Sequence, residues 1–162
     1  MAATQARPIE TAITPVNLAT RVRFLRVALV LFGLIFLFGI YPLMNAWWPA
    51  GWRWNPHQTE YEQMITGVYA TLGIFLILAS RNPLQHRSLI WFTVWSSAVH
   101  GAIMAAQAIS MPMEHGHLAG DIPALGLVAV VLGALTPRGA AADAATVASY
   151  SASDSVHPVG QT

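Results

Sequence analysis

Acids and imidazoles gather in one short stretch, Glu114-His115-Gly116-His117-Leu118-Ala119-Gly120-Asp121, wedged between two long apolar runs. Carboxylates and neutral imidazoles are ligands for zinc and copper, and an imidazole also carries protons near neutral pH. In apolar surroundings such groups are costly to hold, which marks them as candidates for function. With His57, Glu60 and Glu62 upstream they make a nitrogen- and oxygen-rich cluster. Glu114, His115 and His117 are the candidate ligands of a divalent metal. His115-x-His117 is only a short pair, and polar loop residues also have an ordinary solvated explanation.

A second pattern lies inside the apolar runs. Thr93, Ser97, His100, Met104, Gln107 and Met111 recur at alternating steps of four and three, which puts them on one helical seam. Glu62, Thr66, Tyr69 and Gly73 repeat the pattern upstream. Polar seams face protein, because lipid offers them no hydrogen-bond partner. Folding the two runs about the turn between them brings Tyr69 level with residue 99 and Glu62 level with residue 106. Folding the third run against the fourth brings Asp121 level with Gln107. Glu62, Gln107 and Asp121 are therefore expected to meet at the outer end, with His100 and Tyr69 about two turns deeper. These five are the candidate ligand-binding residues, and Glu114, His115 and His117 become a solvated rim above them. The structural alternative is a buried imidazole, bonded to Tyr69 or to a backbone carbonyl, that glues helices together.

The elements that must position these residues follow from composition. Of 162 residues, 55% are hydrophobic and only 9% charged, against roughly 25% charged in soluble domains. Four apolar segments, about 22–44, 61–80, 88–110 and 118–136, each approach the ~20 residues an α-helix needs to cross a bilayer. Strict alternation is absent, which argues against a membrane β-barrel. The expected fold is an all-α membrane protein with four transmembrane helices in an antiparallel bundle spanning residues 21–137. Residues 1–20 read as a polar lead-in ending in a short interfacial turn, and residues 138–162 as a disordered tail.

Arg7, Arg21, Arg23, Arg26, Arg81, Arg87 and Arg138 fall on one side of this layout, and Arg53 falls alone on the other. That asymmetry predicts both termini in the cytoplasm. The first apolar run is too long for a signal core and reads as a retained helix. The bacterial inner membrane is the simplest address. The absence of cysteine excludes disulfides and thiolate metal sites within the chain.

The first outer loop, residues 45–57, holds Trp47, Trp48, Trp52 and Trp54. Indoles favour the headgroup layer, so this loop is expected to lie flat on the interface, with an aromatic ligand lid as the alternative. Short turns at residues 81–87 and around Met111-Pro112-Met113-Glu114 should make antiparallel hairpins of successive helices. Gly33-Leu34-Ile35-Phe36-Leu37 is faintly echoed in Gly73-Ile74-Phe75-Leu76-Ile77. No phosphate loop, zinc-protease helix or nucleophile elbow is present. Ser97 and His100 lie one turn apart with no acid at their depth. A haem held by two histidines needs facing imidazoles at similar depth, and only His100 is that deep. The arginines flank helices, so no basic surface points to nucleic acid.

The chain resembles a family of small bacterial four-helix integral membrane proteins of unknown function. The resemblance is carried by Glu60-Tyr61-Glu62-Gln63-Met64-Ile65-Thr66-Gly67-Val68-Tyr69-Ala70, by Arg81-Asn82-Pro83 with Ser88-Leu89-Ile90-Trp91-Phe92, by Val99-His100-Gly101 and by Gly116-His117-Leu118-Ala119-Gly120-Asp121. It covers roughly residues 25–138. The four-span layout is also loosely similar to the DoxX-like group, some of whose members are membrane subunits associated with quinone-linked oxidation. Neither likeness supplies a catalytic motif. The expectation is a non-catalytic accessory subunit with a pocket for a small ligand such as a quinone headgroup. The alternatives are an outer-face metal-binding or proton-coupled transport protein, and a purely structural subunit. Expected partners are membrane lipid and either a second copy or a larger membrane complex.

Overall fold

A computed structural model describes residues 15–56 and 58–139. The expectations for residues 1–14, for His57 and for residues 140–162 lie outside the described residues. Among the described residues, helix α1 covers Pro15–Leu34.

Helix α1 (Pro15–Leu34) continues through a π-turn (Ile35–Gly39), one short α-turn (Ile40–Pro42) and a second π-turn (Leu43–Trp47). Pro42 cannot donate to the carbonyl four residues back, and its ring crowds that carbonyl. The ladder widens on either side of it, with Ile40 N–H donating to Ile35 and Trp48 N–H donating to Leu43 at 3.1 Å. Helix α2 (Thr59–Ala79) starts with Glu60 and Glu62 in its first turn, where carboxylates complement the helix dipole. Helix α3 (Arg87–Ser110) leads into a 3-10 segment (Pro112–Leu118), and helix α4 (Asp121–Leu135) follows.

Four helical stretches are long and apolar enough to cross a membrane: Leu18–Trp47, Thr59–Ala79, Arg87–Ser110 and Pro112–Leu135. That is the layout of a multi-pass membrane protein. Their outward faces carry large apolar side chains in the open, among them Phe24, Phe38, Val68, Phe75, Trp95 and Val130. Large exposed apolar side chains on outward faces are what a lipid-facing surface requires. The buried core is Leu25 and Leu29 of α1, Leu76 of α2, Ile90 of α3 and Leu132 of α4, all fully enclosed.

Helix α1 packs along α2 and touches α4, α4 packs closely on α3, and α2 and α3 barely meet. The α1–α2 crossing is made by glycine. A Cβ on Gly33 would stand 2.8 Å from the Gly73 carbonyl, and one on Gly73 would stand 2.6 Å from the Gly33 carbonyl. The two echoed segments thus meet at their first residues. On the other side, Gly101 and Gly133 lie against Leu125 and Val94 across the α3–α4 contact. Each small-residue face of α2 and α3 is committed to a different neighbour. The two helices, joined by a short turn, therefore have little contact with each other.

Where α4 ends, Arg21 donates from its guanidinium to the Ala134 carbonyl at 2.7 Å. Arg138 stacks over Trp91, 4.4 Å from the ring centre. These contacts close that end of the molecule and leave the opposite end to the polar residues.

Candidate functional site

The loop after α1 turns inward because two glycines make room for its backbone. A Cβ on Gly116 would collide with the Ala50 carbonyl, and one on Gly120 with the Gly51 carbonyl. The 3-10 segment and the start of α4 therefore receive residues 49–51 in backbone contact, as no larger residue would allow. Trp52 packs against the apolar core and Trp54 stacks on His117 with ring centres 4.2 Å apart. Trp47 and Trp48 stay exposed. Two of the loop's four indoles thus face the protein and two are open.

Beneath the loop, three polar side chains form a buried chain. His117 is fully buried and Glu114 is 2% exposed. His117 Nδ1 lies 3.0 and 2.9 Å from the two carboxylate oxygens of Asp121. Its Nε2 lies 3.2 Å from the Arg53 carbonyl and 3.3 Å from Glu114 Oε2. The Asn55 backbone N–H donates to Glu114 Oε1 at 3.0 Å. Both ring nitrogens thus face oxygen atoms. The solvated-rim reading of Glu114 and His117 is overturned by their burial. It survives for His115, which is exposed.

Below this chain is a cavity of about 660 Å³, within the ~300–1,000 Å³ of small-molecule sites. Glu62, Tyr69, His100, Gln107 and Asp121 all line it, among mostly apolar neighbours from every helix. Trp52, Trp54 and Asn55 of the loop lie on its wall as well. Tyr69 Oη and His100 Nδ1 are 2.7 Å apart, and Phe36 meets Tyr69 edge-on with ring centres 5.0 Å apart. An aromatic row thus crosses from α1 through α2 to α3.

Glu62, Gln107 and Asp121 share the cavity, but the first and last are held by different partners. Glu62 Oε1 faces Arg53 Nε at 3.4 Å, and Arg53 also bonds the Asn45 side chain. Asp121 is held by His117. A smaller pocket of about 100 Å³, lined by Tyr41, Asn45, Arg53 and Thr66 among others, lies on the other side of Glu62. Among the described residues no three His, Asp or Glu side chains converge to hold a metal ion. Trp52, Trp54, Asn55 and Arg53 are the site residues that spacing alone did not single out. The available signal was the glycine pair Gly116 and Gly120, four apart around His117.

The chain belongs to a family of unknown function, DUF6632, which matches residues 19–151. No curated protein and no solved structure matches it, and the looser DoxX-like likeness is not shown by these comparisons.

Proposed function

We propose that this chain is a multi-pass protein of the bacterial inner membrane, an antiparallel four-helix bundle with both termini cytoplasmic. It serves as a non-catalytic accessory subunit whose outward-facing pocket binds a small ligand, in concrete terms a quinone headgroup. The orientation rests on the arginines, seven on one side of the layout and Arg53 on the other.

The observation that carries the ligand reading is the Tyr69–His100 pair on the wall of a mostly apolar cavity. With the Tyr69 hydroxyl donating to Nδ1, His100 keeps Nε2–H as its remaining donor. Gln107, exposed on the same wall, adds an amide that both donates and accepts. A flat ring carrying carbonyl acceptors and an apolar body matches this combination. An unsatisfied polar group in an apolar site costs about 1–3 kcal/mol, so such a ligand gains from each donor it meets. The test is titration of the reconstituted protein with a short-tailed benzoquinone. His100→Ala should weaken binding about tenfold, equivalent to ~1.4 kcal/mol. Absence of binding, or unchanged binding in that variant, overturns the reading.

One observation favours a second reading, proton-coupled transport at the outer face. Asp121 lines the cavity while its carboxylate is bonded to buried His117, so an acid on the wall connects to an imidazole behind it. A metal reading through Glu114, His115 and His117 has no comparable support, and elemental analysis of dialysed protein tests it. A purely structural subunit would show silent Tyr69 and His100 variants together with a co-purifying partner.

A further inference from the structure

We propose that the cavity is entered sideways, through a slot between α2 and α3, by a single-tailed amphiphile whose tail stays in the surrounding acyl layer. This rests on the membrane-spanning, ligand-binding reading above and adds the route and the shape of the ligand.

The slot follows from how the helices are matched. Helix α2 presents Gly73 to α1, and α3 presents Gly101 to α4. The two barely meet. What joins them is the Tyr69–His100 hydrogen bond at 2.7 Å. Two ring side chains placed end to end act as a strut, with ring centres 6.0 Å apart. Glu62 lies seven residues before Tyr69, so the slot runs ~10 Å along α2 above the strut, at 1.5 Å per residue.

The lining says what passes through. On the α2 edge Tyr61 and Ile65 are exposed, and on the α3 edge Ile103 and Met111 are exposed. Ile35, in the π-turn after α1, and Leu127 of α4 also line the wall and are 45% and 57% exposed. Apart from Glu62 and Gln107, the slot is bordered by tyrosine, isoleucine and methionine. It fits an apolar chain. The polar groups lie within the same cavity, so a head reaches Tyr69, His100 and Gln107 while its tail lies between Ile65 and Ile103. One tail fills such a slot, whereas a two-chain phospholipid brings a second chain and a large charged headgroup.

Trp52 and Trp54 line the cavity and serve as built-in reporters once Trp47, Trp48, Trp91 and Trp95 are changed to phenylalanine in the full-length chain. The protein is reconstituted in phosphatidylcholine vesicles doped with a fatty acid brominated along its chain. The expected result is quenching of the two reporters, lost in the double variant Ile65→Phe/Ile103→Phe, while quenching by aqueous iodide is unchanged. Circular dichroism and a monodisperse elution profile establish that the variant is folded. Equal quenching by a brominated phospholipid overturns the single-tail assignment. Quenching by a tail-less benzoquinone that the double variant leaves intact overturns the lateral route while the quinone reading stands. Fatty-acid quenching that decylbenzoquinone fails to displace leaves the slot in place and removes the quinone.

Discussion

His117 Nδ1 lies 3.0 and 2.9 Å from the two carboxylate oxygens of Asp121. That contact ties the 3-10 segment to the first residue of α4 and sets an acid on the cavity wall. Behind it the imidazole is enclosed by Trp54, Glu114 and the Arg53 carbonyl. One side chain therefore couples the loop, the segment before α4 and the cavity.

Removing that side chain should be among the most damaging single changes in the protein. His117→Ala leaves Glu114 and Asp121 buried without their shared partner, and breaking a buried pair in this way costs about 3–5 kcal/mol. Asp121→Asn keeps an acceptor for the ring and should cost less, ~1–2 kcal/mol. Thermal unfolding of both variants in mild detergent gives the order. Equal midpoints for wild type and His117→Ala would show that the chain of contacts has no structural weight.

The glycine crossing makes a sharper, purely steric prediction. Gly73→Ala places a methyl 2.6 Å from the Gly33 carbonyl and 2.9 Å from the Leu37 backbone nitrogen. The helices must separate, and overpacking of this kind costs about 1–3 kcal/mol. Gly67→Ala, on the same helix with nothing within 4 Å, should be neutral or stabilising by up to ~1 kcal/mol, the helix-propensity difference. The pair of variants separates close packing from helix propensity in one denaturation series.

Parts of this arrangement are legible in the sequence and parts are not, for physical reasons. The four long apolar helices follow from length and composition, because a bilayer sets both. The four-and-three spacing, with successive runs folded about their turns, placed Tyr69, His100, Gln107, Glu62 and Asp121 around one space, and all five line one cavity. Burial of Glu114 and His117 was invisible, because a polar turn looks the same whether water or a docked loop covers it. What decides it is a backbone approach at Gly116 and Gly120 from residues some seventy positions away, and local patterning has no access to that distance. The gap between α2 and α3 was hidden for a related reason. Turn length says that two helices are neighbours in the chain, while their packing depends on where each places its glycines.

The docked loop gives a spectroscopic prediction. Gly116→Ala or Gly120→Ala forces the Ala50–Gly51 backbone off the 3-10 segment, and Trp54 loses its place against His117. Tryptophan emission should shift to longer wavelength and become more accessible to iodide, while the helical circular dichroism stays unchanged. An unchanged spectrum in both variants would mean that Trp52 and Trp54 are held in place by something other than these glycines.

Loss of the strut is distinguishable from loss of a core contact. Tyr69→Phe keeps the edge-on ring contact with Phe36, at 5.0 Å in the native chain, and removes only the hydroxyl bonded to His100. Stability should fall by about 1 kcal/mol, the usual net worth of a neutral hydrogen bond. The His100 Nδ1 resonance in a 15N spectrum should move, because that nitrogen loses its partner. A resonance that does not move would place the Tyr69 hydroxyl elsewhere in the membrane-embedded protein.

The proposed orientation can be read directly, because the chain contains no cysteine and single thiols can be introduced without background. Met113 is 80% exposed between α3 and α4, and Gln85 is exposed in the turn between α2 and α3. If the arginine asymmetry sets the topology, Met113→Cys reacts with a membrane-impermeant maleimide added to intact spheroplasts. Gln85→Cys, lying between Arg81 and Arg87, reacts only after the membrane is opened. The reverse pattern would put the cavity, with Trp52 and Trp54 on its wall, on the cytoplasmic side. The fold and the cavity would be untouched by that outcome, but its ligand would then have to be sought at the inner leaflet.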